Sequence, residues 1–192
     1  MTTLIKRHPL ASYFLLTIAL SWGGILLIVL PGSIPAPPAE AERLFVAVYL
    51  AMLVGPSVAG LAICRITGRR PGIGARLRSW RAGGQWYGVA LLAAPIAMGL
   101  TLLVLSLVSP EFVPAIISGS SEVAGPVRSP SVTAFLLMGL AVGIGAGLFE
   151  EIGWTGFAVP RMLSRHGILA TGVGVGLVWG FWHFLAIWWG SA

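Results

Sequence analysis

The chain has 192 residues, of which 57% are hydrophobic and 9% charged, with 26 glycines, and its mean hydropathy is +0.92. Soluble domains carry about 25% charged residues, so a soluble globular fold is excluded; apolar runs of about 20 residues, enough to cross a hydrocarbon core of about 30 Å, recur and imply an all-α polytopic membrane protein. The net charge of +6 comes from eleven Arg and one Lys against six Glu. It sits in connecting loops rather than along one face of a domain, which argues against nucleic acid as a partner and for the lipid bilayer.

The first apolar run, residues 10–30, follows Lys6, Arg7 and His8 and is longer than the roughly 7 to 15 residues of a signal-peptide core, so it reads as a membrane helix. Ala39-Glu40-Ala41 mimics a cleavage site but lies past four prolines. The Pro-rich stretch Pro31 to Glu42 reads as a loop. Spans follow over residues 44–66 and 86–108. Between them, six arginines (Arg65, Arg69, Arg70, Arg76, Arg78, Arg81) with Trp80 and Trp86 suit a segment lying against anionic headgroups, or a plain topology anchor. Residues 109–130 form a second Pro-rich loop, and two further spans are expected over 131–158 and 168–189, separated by a turn around Pro160, Arg161, Arg165 and His166.

Residues 1–192 thus read as a single transmembrane domain of about five helices. Lys and Arg counted by alternate loops fall ten to one side and two, Arg43 and Arg128, to the other, which predicts a cytoplasmic amino terminus. The single cysteine, Cys64, rules out an intrachain disulfide and reads as a small apolar residue near a helix end.

Glu150 and Glu151 stand in the apolar segment A-V-G-I-G-A-G-L-F-E-E-I-G-W-T-G-F-A-V, with no basic residue within nine positions. A charge at mid-membrane costs about 2.5 to 3.5 kcal/mol, so such a pair is a functional hypothesis by default. Neighbouring carboxylates titrate as a coupled pair, and one of them can take a proton from water. His183 is the other ionisable group within an apolar span. At about 100° per residue, Gly172, Gly176, Trp179, Gly180 and His183 share a face, as do Gly139, Gly143, Gly147, Glu150, Trp154 and Phe157. Small residues at four-residue spacing let membrane helices approach closely, so the two glycine faces are expected to pair and bring Glu150 to His183. Packing glycines with a structural Glu–His hydrogen bond are the alternative. Depth resists the pairing: counted from Arg161 and Arg165, Glu150 stands roughly 16 Å and His183 roughly 27 Å from the membrane edge, a gap that tilt or a break at Gly153 or Pro160 would close.

The string Glu150-Glu151-Ile152-Gly153-Trp154-Thr155-Gly156-Phe157 resembles the first motif of the CAAX protease and bacteriocin-processing (CPBP) family of intramembrane endopeptidases, in which a Glu pair is followed by Arg. Trp179-Gly180-Phe181-Trp182-His183 resembles the second, an aromatic residue four positions before His. The resemblance lies within residues 131–192 and implies a bacterial inner-membrane enzyme of the cell's plasma membrane. It further implies a protein or peptide substrate, membrane-associated or prenylated, hydrolysed by water held and deprotonated by Glu150 and His183, with Glu151 orienting. Any metal, such as zinc, would fall to Glu150 and His183, too few for a full ligand set. The family's Arg position is Thr155 here, with Arg161 a possible substitute. The family's third motif, His followed by Asn or Asp, would stabilise the oxyanion; the chain contains no Asn or Asp and no His after His183, so further helices carrying it are expected beyond Ala192. A non-catalytic relative acting in bacteriocin self-immunity or as a binding partner is one alternative. A small transporter relaying protons through Glu150 and Glu151 is another.

Overall fold

The computed structural model describes residues 2–68, 83–110 and 132–191. Every regular element among them is helical: α1 (Thr2–Arg7), α2 (Pro9–Val29), α3 (Pro38–Thr67), α4 (Gly84–Val108), α5 (Val132–Glu151), a π-helical turn (Trp154–Ala158), α6 (Val159–Leu163) and α7 (Ile168–Trp189). Four of these, α2, α3, α4 and α7, are long and apolar enough to cross a membrane. This is a multi-pass, all-α membrane protein. The basic segment expected over Arg69 to Arg81 and most of the loop over 109–130 lie outside the described residues.

Helix boundaries depart from the expected spans in two places. The loop expected over Pro31 to Glu42 gives way at Pro38 to α3, a helix of 30 residues. Pro38 occupies the first helical position, where its missing N–H costs nothing, Ala39 to Arg43 are good helix formers, and Glu40 meets the positive end of the helix dipole. The continuous span expected over 131–158 instead stops at Glu151. Its last turn passes through Gly153 into the π-helical turn, and Pro160 starts α6 near its amino end.

The chain divides into two compact units, one from residues 1–74 and 129–192 and the other from residues 75–128. In the second unit α4 buries no side chain. Thr101 and Ser106 turn onto their own helix, donating to the Ala97 and Leu103 carbonyls, as suits a helix surrounded by lipid.

In the first unit, α2 and α3 pack antiparallel through small residues. A Cβ on Gly24 would lie 3.3 Å from that of Ala51, and one on Gly55 would fall onto the Ser21 hydroxyl. Van der Waals packing and interhelical hydrogen bonds drive such association where lipid is as apolar as the helices. Gly55-Pro56-Ser57, in the middle of α3, serves three neighbours at once. Pro56 has no N–H to offer the Met52 carbonyl four residues back, and Ser21 of α2 donates to that carbonyl instead at 2.7 Å. Ser57 donates to the carbonyl of Phe149 on α5. A Cβ on Gly153 would land on the Pro56 carbonyl and the Tyr13 hydroxyl, so glycine is required at the break after α5.

Ser21 also accepts the indole N–H of Trp182 on α7 at 2.7 Å, and Trp22 donates to the Trp182 carbonyl at 3.0 Å. In the connection past the end of α2 the Ala36 N–H donates to the Trp189 carbonyl at the end of α7, so α2 and α7 run parallel. Tyr13, Trp154, Phe157 and Trp182 form a buried aromatic core, with Tyr13 edge-on to Trp154 at 5.8 Å and Trp154 edge-on to Trp182 at 5.7 Å. Cys64 is buried in the same unit. Ser21→Ala strips a donor from the Met52 carbonyl and an acceptor from the Trp182 indole. The expected cost is about 1–3 kcal/mol, to be read as a lowered thermal unfolding midpoint in detergent micelles.

Candidate active site

Glu150 sits in the last turn of α5, half-buried, beside the Ser57 bond that fixes the neighbouring Phe149 carbonyl. His183 sits two turns from the end of α7, half-buried, beside Trp182, which Ser21 and Trp22 anchor. Both are held by one residue. The Trp179 indole N–H donates to Glu150 Oε2 at 2.9 Å, and the Trp179 carbonyl is 2.9 Å from His183 Nδ1. A carbonyl only accepts, so Nδ1 carries the proton in that bond and the neutral imidazole keeps its lone pair on Nε2. The His183 ring is further fixed edge-on between Trp179 at 4.2 Å and Trp182 at 4.5 Å. Oε1 of Glu150 and Nε2 of His183 are thus the two basic atoms outside the Trp179 bonds.

The depth mismatch resolves at the connection between the helices. The turn runs from Ser164 to Gly167, so Glu150 lies thirteen residues before the end of α6 at Leu163, and His183 fifteen after the start of α7 at Ile168. The stretch from Glu150 to Leu163 is broken after Glu151 and passes through the π-helical turn, and the 2.9 Å bond sets Glu150 level with Trp179, one turn nearer the connection than His183. The expected glycine-to-glycine pairing is not what joins α5 to α7. Cβ atoms built on Gly139, Gly143, Gly147, Gly172, Gly176 and Gly180 meet nothing within 4 Å; α5 leans on α3 instead, and its end reaches α7 through the Glu150–Trp179 bond. The close glycine contacts between helices lie at Gly24, Gly55, Gly60 and Gly153 in the first three helices and the break, and at Gly174 of α7, which meets Met162 of α6.

Glu151 is exposed, and its main-chain carbonyl accepts the Thr155 hydroxyl at 3.1 Å. One residue along a helix is a turn of 100°, which separates the two carboxylates to different sides. Thr155, where the family motif has Arg, therefore spends its hydroxyl within its own turn. Arg161 stacks its guanidinium 3.6 Å over the Phe157 ring and donates to the Phe157 carbonyl at 3.0 Å. Thr155→Ala removes only that local bond and is expected to change turnover by no more than about twofold, measured as initial rates in proteoliposomes.

Among the described residues no three His, Cys, Asp or Glu side chains group together. Glu150 and His183 supply two ligands where a catalytic zinc takes three, so they do not by themselves fit a metal. What they fit is acid–base chemistry on water. The residues that set their geometry, Ser21, Pro56, Ser57 and Gly153, went unread as a group in the sequence. Their one signal is a proline flanked by Gly and Ser inside an apolar run, which orphans a carbonyl that a neighbouring helix must satisfy.

No curated protein and no solved structure matches this chain. A family model described as type II CAAX prenyl endopeptidase, Rce1-like, matches residues 132–191, a stretch that takes in Glu150, Glu151, Trp179 and His183. Over those residues the chain is similar to that family, in agreement with the resemblance its two motifs carry.

Proposed function

We propose that this protein is an intramembrane endopeptidase in which Glu150 and His183 activate a water molecule against a peptide bond. The observation that carries the reading is the double role of Trp179, whose indole holds one carboxylate oxygen of Glu150 while its carbonyl fixes the tautomer of His183. Two acceptors then face one water. Its two hydrogens are held in hydrogen bonds to Glu150 Oε1 and His183 Nε2, and its lone pair is left for the substrate carbonyl carbon. As the C–O bond forms, Glu150 accepts a proton; as the C–N bond breaks, the same proton passes to the leaving amine. Glu151, on the other side of the helix, acts on the orientation of this turn. The substrate class is a membrane-associated protein or peptide with a prenylated carboxyl-terminal CAAX sequence, as the description of the matching family suggests. The amino terminus faces the cytoplasm, supported by the excess of Lys and Arg on that side.

The test uses the purified protein in proteoliposomes with a prenylated CAAX peptide and its unprenylated counterpart. Cleavage of the prenylated peptide, lost with Glu150→Ala and with His183→Ala while both variants remain inserted, is expected. No cleavage of either peptide by folded, inserted protein would favour a non-catalytic membrane protein of the same fold.

A further inference from the structure

Away from the Glu150–Trp179–His183 cluster, Lys6, Pro9, Thr67 and Arg161 line a cavity of about 220 Å³. It lies at one end of the first unit, where α1 meets the start of α2, the end of α3 and the start of α6. Among the described lining residues both ionisable side chains are cations. Arg161 is pre-set, since its guanidinium rests on the Phe157 ring, which is wholly buried, and is tied to the Phe157 carbonyl. Lys6 reaches in from the last turn of α1. The Thr67 hydroxyl is turned to the Ile63 carbonyl at 2.7 Å, which leaves recognition to the two cations. Arg7 ends α1 and Arg65 lies in the last turn of α3, at the same end of the helices, whereas Glu40 and Glu42 lie at the opposite end of α3. Among the described lining residues there is no carboxylate.

We propose that this cavity is a phosphate-binding site, with Lys6 and Arg161 as its two charged contacts. Its volume is several times the roughly 30 Å³ share of a water molecule, room for a tetrahedral phosphate and the first atoms of an ester. A guanidinium on a fixed platform suits the planar, forked recognition of phosphate oxygens, and an ammonium adds a point charge. The phosphate can belong to the headgroup of an anionic phospholipid, since the cavity opens at an end of the membrane helices, or be free in solution.

The purified protein in detergent is titrated separately with dioctanoyl-phosphatidylglycerol, inorganic phosphate and phosphate-free dioctanoylglycerol, following its thermal unfolding midpoint. Saturable stabilisation by the phospholipid alone identifies a headgroup site, and saturable stabilisation by inorganic phosphate as well identifies a site for the free ion. In either case Lys6→Ala, a change at an exposed side chain that leaves the fold intact, weakens binding about fivefold, and Arg161→Gln weakens it at least as much. Wild-type affinity in Lys6→Ala, equal stabilisation by dioctanoylglycerol, or no saturable response to either phosphate compound would overturn the proposal.

Discussion

Glu150→Gln is expected to lower turnover of a prenylated CAAX peptide by about 10² to 10⁴, the usual worth of a positioned general base, while leaving the protein inserted and folded. The glutamine oxygen still accepts the Trp179 indole N–H, so the helix-to-helix bond survives. What disappears is the proton-accepting oxygen on the other side of the carboxylate. His183→Ala is expected to act on the same scale, because it removes the second acceptor that holds the water. Initial rates in proteoliposomes, with insertion checked by protease protection, measure both. Near-normal turnover by either variant would remove that residue from the chemistry.

Trp179→Phe carries the second large effect. Phenylalanine keeps an aromatic ring beside His183, and the main-chain carbonyl at position 179 still receives His183 Nδ1. Only the indole donor to Glu150 is lost. Misplacing a reacting group by about 1 Å costs about 10²-fold, so kcat is expected to fall by about that factor with KM changed much less. A KM effect at constant kcat would mean that Trp179 contacts substrate rather than positioning Glu150.

The candidate residues stand out in the sequence because a membrane makes them conspicuous. Glu150 and His183 stand in apolar runs where an ionisable group has no cheap reason to be, and two motifs at the right separation carry the resemblance. The limits of α7, residues 168–189, followed from a glycine-bounded apolar run alone. What failed were inferences that needed the neighbouring helix. Glycines at four-residue spacing on α5 and α7 read as a paired interface, yet periodicity on one helix does not say which helix faces it, and the close approaches are made by other glycines, among them Gly24, Gly55, Gly60, Gly153 and Gly174. The apolar character of residues 152–158 hid the end of α5, since hydropathy is blind to a π-helical turn. The depth mismatch came from counting a straight helix from Arg161, which lies in α6 before the connection, across a segment that breaks at Gly153. At Pro38, a run of prolines suggested a loop throughout, although a proline is welcome at a helix start.

The support behind the site was the least legible part. Ser21 looks like an ordinary small polar residue in an apolar span, and its two roles, toward the carbonyl orphaned by Pro56 and toward the Trp182 indole, both lie on other helices. Through Trp182 that bond reaches the residue beside His183. Ser57 does the equivalent for the residue beside Glu150. The proline in α3 thus sits behind both halves of the site, a relation spread over four segments that are distant in sequence.

The most direct measurement is a double-mutant cycle on the hydrolytic step, comparing Glu150→Gln, His183→Ala and the combined variant under single-turnover conditions. Residues that hold and deprotonate one water act as a unit, so the combined variant should be about as slow as the slower single variant. Losses that multiply would contradict a shared centre and leave Glu150 and His183 with separate roles.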